Sequence, residues 1–164
     1  MRAIIDRDRK KVLHVILTAL GSASDTEDIA QDVFIRTWQR LQQGHTIEDT
    51  PSAWVMRVTI NCIRDKMRTA WNRRVILQPE DTRTGAVPSA EQEALDRTPS
   101  LVVAAIHQLP ANQRDVVLLF YVADQSIQAI SVALGLPENT VKSRLHRGRQ
   151  RLARVLEGTK EVNA

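Results

Sequence analysis

The chain has a single cysteine, Cys62, among its 164 residues. One thiol excludes an internal disulfide and any zinc site built on several cysteines. Its setting, an apolar-rich helical segment, reads as a buried, inert thiol. The opening residues from Met1 to Arg9 hold no apolar core of the kind a secretory signal needs. No run approaches the ~18 consecutive apolar residues of a membrane helix. The expectation is a soluble, cytoplasmic protein with no membrane insertion. No nucleophile–base pair, metal-ligand cluster or phosphate-binding loop appears, so the reading is a non-enzyme with no cofactor and no metal. Internal repeats and low-complexity tracts are absent, and strand signals are nearly so.

What is present is helical spacing, punctuated by Pro, Gly, Ser and Thr. The length suits one ordinary domain or two small ones. The reading is all-α: two small helical domains joined by a flexible linker, each near the lower size limit for a stable core. A first helix is expected over residues 4–20, with Leu13, Ile16, Leu17 and Leu20 on one side and Gly21 ending it. Ser24 with Glu27 reads as a capping box opening a second helix to about Leu41, with Ala30, Phe34, Trp38 and Leu41 as its apolar stripe. A polar loop covers 42–50. Thr50-Pro51 then starts a third helix that continues to about Arg74, with Trp54, Val58, Ile63, Met67 and Trp71 apolar. Trp54 reads as core, and Trp71 as either packing or stacking.

Residues 79–99 change character, with Pro79, Pro88, Pro99, Gly85 and an acidic bias from Glu80, Asp81, Glu91, Glu93 and Asp96. This is the expected linker, with room for a short helix near 90–96. The domain assignment is therefore 1–75, a linker at 76–98, and 99–164. Short helices fit 101–107, 111–122 and 126–134, and a long one fits 138–157.

Charge is unevenly spread. Lys and Arg total 23 against 19 Asp and Glu, a net of +4. One basic block is Arg57, Arg64, Lys66, Arg68, Arg73 and Arg74, opposed only by Asp65; a second, 142–154, contains no acid. Two such blocks on amphipathic segments point to nucleic acid, although either alone also suits a solvated helix face. Arg57, Asn61, Arg64 and Arg68 are spaced four, three and four, so they share one helix face. Around the second block, Ile127, Ile130 and Leu134 precede Gly135, where a tight inter-helix turn needs positive φ, and Val141 and Leu145 follow as inward anchors. That is the spacing of a helix-turn-helix, and also of a plain helical hairpin. Between the anchors, Lys142, Ser143, Arg144, His146 and Arg147 point outward, a hydrogen-bonding and basic set suited to a major groove. His146 has no second ligand at i+4 and reads as a groove or phosphate contact.

Leu-Pro-Ala-Asn-Gln-Arg-Asp-Val-Val-Leu-Leu (109–119) and Leu-Gly-Leu-Pro-Glu-Asn-Thr-Val-Lys-Ser-Arg-Leu-His-Arg-Gly-Arg (134–149) closely resemble the C-terminal domain of extracytoplasmic-function sigma factors. Asp-Thr-Glu-Asp-Ile-Ala-Gln-Asp-Val-Phe-Ile-Arg-Thr-Trp (25–38) and Ala-Trp-Val-Met-Arg-Val-Thr-Ile-Asn (53–61), with Asp65 and Arg68, resemble their N-terminal domain. The resemblance covers most of the chain outside the linker, in the family's order. It implies an RNA polymerase sigma factor that binds core polymerase and the −10 and −35 promoter elements. Glu27, Asp28, Gln31 and Asp32 would dock on the β′ clamp helices, and the second domain on the β flap. The 42–50 loop with Arg57, Asn61, Arg64 and Arg68 would read and melt the −10 element. Lys142, Ser143, Arg144, His146 and Arg147 would bind the −35 duplex. An anti-sigma protein is implied as regulator.

Two departures stand out. The family pattern has about one further helix before Lys10. The family's Glu-Ile-Ala reads Ala129-Ile130-Ser131; a serine there can bond back to the preceding turn, and the fold is expected to survive the change. Two other readings share these features: a stand-alone helix-turn-helix regulator, and a degenerate sigma-like interaction protein.

Overall fold

Gly21 takes φ +71°, the left-handed conformation that ends a helix without steric cost, and the chain reverses there. The computed structural model describes residues 2–43, 51–77 and 101–162. They form helices α1 (Arg2–Leu20), α2 (Ala23–Gln42), α3 (Pro51–Leu77), α4 (Leu101–His107), α5 (Ala111–Val117), α6 (Ile127–Leu134) and α7 (Glu138–Val162). Helix α5 runs on into one π-helical turn over Leu118–Val122. No strand occurs among the described residues. The 42–50 loop beyond Gln43, the linker with its short helix, and the Trp71 side chain lie outside the described residues.

Helix α2 begins earlier than the expected capping box. Its cap is Ser22, in an extended conformation, whose hydroxyl accepts from the Asp25 backbone N–H at 3.4 Å. Because Gly21 turns the chain at once, the helix starts two residues before the Ser24–Glu27 pair can act. Its inner face also differs from expectation. Thr26, Ile29, Ala30, Val33 and Thr37 are buried, whereas Trp38 is 48% exposed. The two threonines tolerate burial because their hydroxyls donate to carbonyls four residues back, Ser22 at 2.6 Å and Val33 at 2.7 Å. In α1 the centre is likewise Val12, Val15, Ile16 and Ala19, while Leu13, Leu17 and Leu20 are half-buried.

Helix α3 lies at the centre. Ala53, Val55, Met56, Val58, Thr59, Ile60, Cys62 and Ile63 are all buried, a span too broad for a one-sided amphipathic helix. At its start, Ser52 donates 2.6 Å to Asp8, a carboxylate of α1 that is 1% exposed and also paired with Arg7. The acid sits at the positive end of α3, where helix dipole and hydroxyl both favour it. Burial pushes the Cys62 thiol up, helped by Asp32 and Asp65 and opposed by Arg36.

In the second half, α6 is capped by Ser126, which accepts from the Ala129 N–H at 3.1 Å. Gly135 closes it at φ +64°. Ser131 does not bond back to the preceding turn. Its hydroxyl donates forward, across the turn, to the Leu136 carbonyl, and its own carbonyl accepts from the Leu136 N–H at 3.0 Å. The serine thereby ties the turn that sets α7 against α6. Val141 and Leu145 of α7 are buried, as are Ile130 and Ala133 of α6.

The two halves do not have separate cores. Val12, Val15 and Ile16 of α1 and Val55, Met56, Val58, Ile60, Cys62 and Ile63 of α3 belong to one apolar cluster with Ile106, Leu109, Val116–Leu119, Ile130, Val141 and Leu145. Each half is small for independent stability, and each completes its core against the other.

Helices α5 and α7 cross at Gly148, where a Cβ would lie 2.8 Å from a Val117 methyl. Gly148→Ala is expected to destabilise the protein by about 1–3 kcal/mol through overpacking, against the gain in helix propensity that alanine normally brings. Thermal melting of the two proteins checks this; an unchanged or raised Tm would mean that the crossing can open.

Candidate nucleic-acid interface

Three surfaces carry the sequence-predicted residues. On α2, Glu27, Asp28, Gln31 and Asp32 are all exposed. Glu27 and Gln31 border a shallow groove of about 400 Å³ between α1 and α2, whose floor is Leu13, Ala30 and Phe34 and whose far rim is Arg9. Ile35, 51% exposed, continues the groove's edge. The strip is thus acidic and amide-bearing beside open apolar surface. Asp25, at the start of the helix, is held away from it by Lys66 of α3 at 2.6 Å.

The α3 stripe divides. Asn61 is exposed and faces α2, lining a cleft of about 240 Å³ with Trp54, Val58, Arg36, Gln39, Arg40 and Gln43. Trp54 packs against the core with one edge, as expected, and with the other forms the cleft wall. Its indole N–H is buried without an acceptor, and the Arg40 guanidinium lies 5.4 Å over its ring, a cation–π contact. Arg68 stays at the surface, paired with Asp65 at 3.0 Å, which also faces Arg36 at 3.8 Å.

Arg57 and Arg64, seven residues apart, lean the other way, into the second half. Arg57 donates from Nε to the Ala133 carbonyl at 2.6 Å and from Nη2 to the Val132 carbonyl. These are last-turn carbonyls of α6, otherwise without helical partners and carrying the negative end of its dipole. Arg64 donates through Nε and Nη2 to one oxygen of Asp115, whose side chain is 4% exposed. Burial pushes the Asp115 carboxyl up; hydrogen bonds from Arg64 and the charges of Arg64, Arg114 and Arg144 offset this only in part. The sequence-predicted -10 set is therefore not one free surface: Asn61 and Arg68 are open, and Arg57 and Arg64 are engaged.

On α7, Lys142, Ser143, His146 and Arg147 are exposed on a ridge, and Arg144 is half-buried beneath it, near Asp115. Ser143 donates to the Asn139 carbonyl at 2.9 Å. Lys142 and His146 rim an apolar hollow floored by Phe120, Ile127 and Leu145, with Arg149 lying 5.8 Å over the rings of both Phe120 and Tyr121. The ridge has cations and hydrogen-bond donors at the spacing of a groove-reading helix. No group of His, Cys, Asp or Glu among the described residues is arranged to hold a metal, and no described helix is long and apolar enough to cross a membrane.

Sequence reasoning missed the α2 walls of the Asn61 cleft (Arg36, Gln39, Arg40 and Gln43) and the buried acids Asp8 and Asp115. The cleft walls follow the 3–4 spacing of one α2 face and could have been found by pairing that face with α3. The acids give no local signal.

Comparison with known proteins matches residues 4–73 to sigma-70 region 2 and residues 100–152 to sigma-70 region 4. The chain is 33% identical over 148 residues to the ECF RNA polymerase sigma factor SigL of Mycobacterium tuberculosis, covering 89% of this chain and 82% of that protein. It is 27% identical over 164 residues to SigW of Bacillus subtilis, covering 93% and 87%. Among solved structures it is similar to the sigma factor RpoE of Bartonella quintana, crystallised with the anti-sigma factor NepR, at a TM-score of 0.67 and 22% identity over 89% of each chain.

Proposed function

The chain belongs to the extracytoplasmic-function family of RNA polymerase sigma factors, and we propose that it works as one through three surfaces of stated role. As a sigma factor it is a regulatory subunit that directs transcription initiation at chosen promoters, acting in the cytoplasm, with RNA synthesis left to the polymerase. The α2 strip of Glu27, Asp28, Gln31 and Asp32 takes the β′ clamp helices. Acidic and amide groups beside open apolar surface suit a basic, amphipathic partner helix, which they would orient and attract. Residues 1–75 would thus hold polymerase and the −10 region, 76–98 would join the domains, and 99–164 would hold the −35 duplex and the β flap. An anti-sigma protein is the proposed regulator; the Bartonella quintana factor was co-crystallised with one, NepR.

The Asn61 cleft is the proposed seat of an unstacked −10 base. A flipped base presents its pairing edge, which the Asn61 amide can meet as both donor and acceptor. Arg36, Arg40 and Arg68, with Arg57 and Arg64 when free, would hold the strand's phosphates. On α7, Lys142, Ser143, His146 and Arg147 would meet base edges and phosphates of the −35 duplex, with Arg144 behind them. The observation that carries the reading is the presence in one chain of this cleft and a helix-turn-helix ridge, a single-strand reader and a duplex reader.

Asn61→Ala is expected to leave polymerase binding intact and to impair promoter opening, measured by permanganate reactivity of thymines in the −10 region. Loss of polymerase binding instead would place Asn61 in the protein interface. Arg147→Ala is expected to weaken −35 duplex binding by about 1–3 kcal/mol with relaxed preference at one base pair; an equal loss on all sequences would make it a phosphate contact. Binding should also fall steeply with salt, with a log–log slope of roughly 0.9 per phosphate neutralised; a flat response would rule out the basic ridge as the contact surface.

A further inference from the structure

Three arginines stand near the Asn61 cleft, and their partners differ. Arg36 faces Asp65 of α3 at 3.8 Å, and Arg68 pairs with the same carboxylate at 3.0 Å. Arg40 meets no carboxylate among the described residues; its guanidinium lies 5.4 Å over the Trp54 ring instead. Trp54 packs against the core cluster, whereas Arg40 is exposed. An aromatic face attracts the cation without offering lone pairs to its N–H groups. The guanidinium is therefore placed while its fork of donors stays unspent. Asn61 is exposed on the same cleft, whose other polar walls are Arg36, Gln39 and Gln43. Among the described residues no carboxylate lines it. The cleft is thus rich in donors, and its side-chain acceptors are amide carbonyls.

We infer that Arg40, held in place by Trp54, selects the base that the cleft takes, and that this base carries two adjacent acceptors on one edge. The inference rests on the Asn61 cleft as the seat of an unstacked base, and it goes beyond a share in holding phosphates. A guanidinium presents parallel N–H groups that fit two neighbouring acceptors at once, and it accepts nothing. Cytosine offers such a pair as N3 and O2, and guanine as O6 and N7. Adenine alternates its acceptors with an amine, and thymine places an N–H between its two carbonyl oxygens. On either of these the fork meets a donor. In both favoured cases the Asn61 carbonyl can accept from the neighbouring N–H, the amine of cytosine or N1 of guanine. A lysine in place of Arg40 would keep the charge and lose the match, because an ammonium is a point charge without a fork. Arg40 is thus the reader, and Trp54 is a positioning residue.

The test reads short oligothymidylates, identical except for one varied base, by fluorescence anisotropy on the full chain bound to core polymerase. Should no such complex form, the sigma reading fails by itself, and the same set is read on the free chain. The expected result is a preference of about tenfold or more for cytosine or guanine over adenine and thymine. A cytosine preference puts the fork on N3 and O2. A guanine preference puts it on O6 and N7 and must vanish with 7-deazaguanine, which lacks the N7 acceptor; a guanine preference that survives overturns the inference. Arg40→Lys is expected to flatten the preference to within about twofold. Trp54→Leu is expected to do the same, and Trp54→Phe, which restores a ring face, to recover it. Arg40 lies at the surface, so its variant decides the matter should Trp54→Leu unfold the chain. A preference kept in Arg40→Lys, or in folded Trp54→Leu, overturns the inference. So does a preference of the unaltered protein for adenine or thymine, or its equal binding of all four bases or of none. A loss in Arg40→Lys that is the same for every base makes Arg40 a phosphate contact and overturns it as well.

Discussion

Helix α3 has to satisfy two partners at once, and the rest of the structure follows from how it does so. Its flank from Ala53 to Ile63 is buried almost all round, because α1 and α2 cover one side and the second half of the chain covers another. Burying a Val or Ile side chain contributes roughly 1.5–3 kcal/mol, whereas a hydrogen bond nets about 1 kcal/mol. The shared apolar cluster therefore holds the halves together, and the polar contacts of Arg57 and Arg64 decide which faces meet. A domain of this size gains from such sharing, since a small domain buries a smaller fraction of its surface on folding.

That economy sets the functional problem. The residues best placed to hold a melted strand lie beside the residues that complete the core. Part of the stripe, Asn61 and Arg68, faces away and stays open. The rest turns inward: Arg57 caps α6 and Arg64 pairs with Asp115. Among the described residues, Glu27, Asp28, Gln31 and Asp32 of the α2 strip are exposed, so docking there does not compete with the packing described. The same holds for the α7 ridge. Of the proposed surfaces, two are open in the free chain and one is half-spent.

Most of the fold was legible in the sequence because its boundaries are written locally. Gly21, Pro51, Ser126 and Gly135 mark turns through backbone preferences that act at single positions, and the structure uses each of them. Inner faces were harder to read. Thr26 and Thr37 count as polar by composition, yet bury because each hydroxyl finds the carbonyl four residues back; Trp38 counts as apolar, yet stands at the surface. The Ser131 hydroxyl, which could have bonded backward, spans the turn to Leu136. Exposed α7 residues were recognisable from the anchors between them. The partners of Arg57 and Arg64 were not, since they lie 76 and 51 residues further along the chain, and spacing within one helix says nothing about a contact made that far away.

The central claim, that this chain is a working sigma subunit, is tested most directly by passing it with bacterial core RNA polymerase over a sizing column. The expected result is a stable one-to-one complex that is lost when Asp28 and Asp32 on the α2 strip are changed to lysine. Free passage of the two proteins under conditions where the chain is folded would contradict the claim.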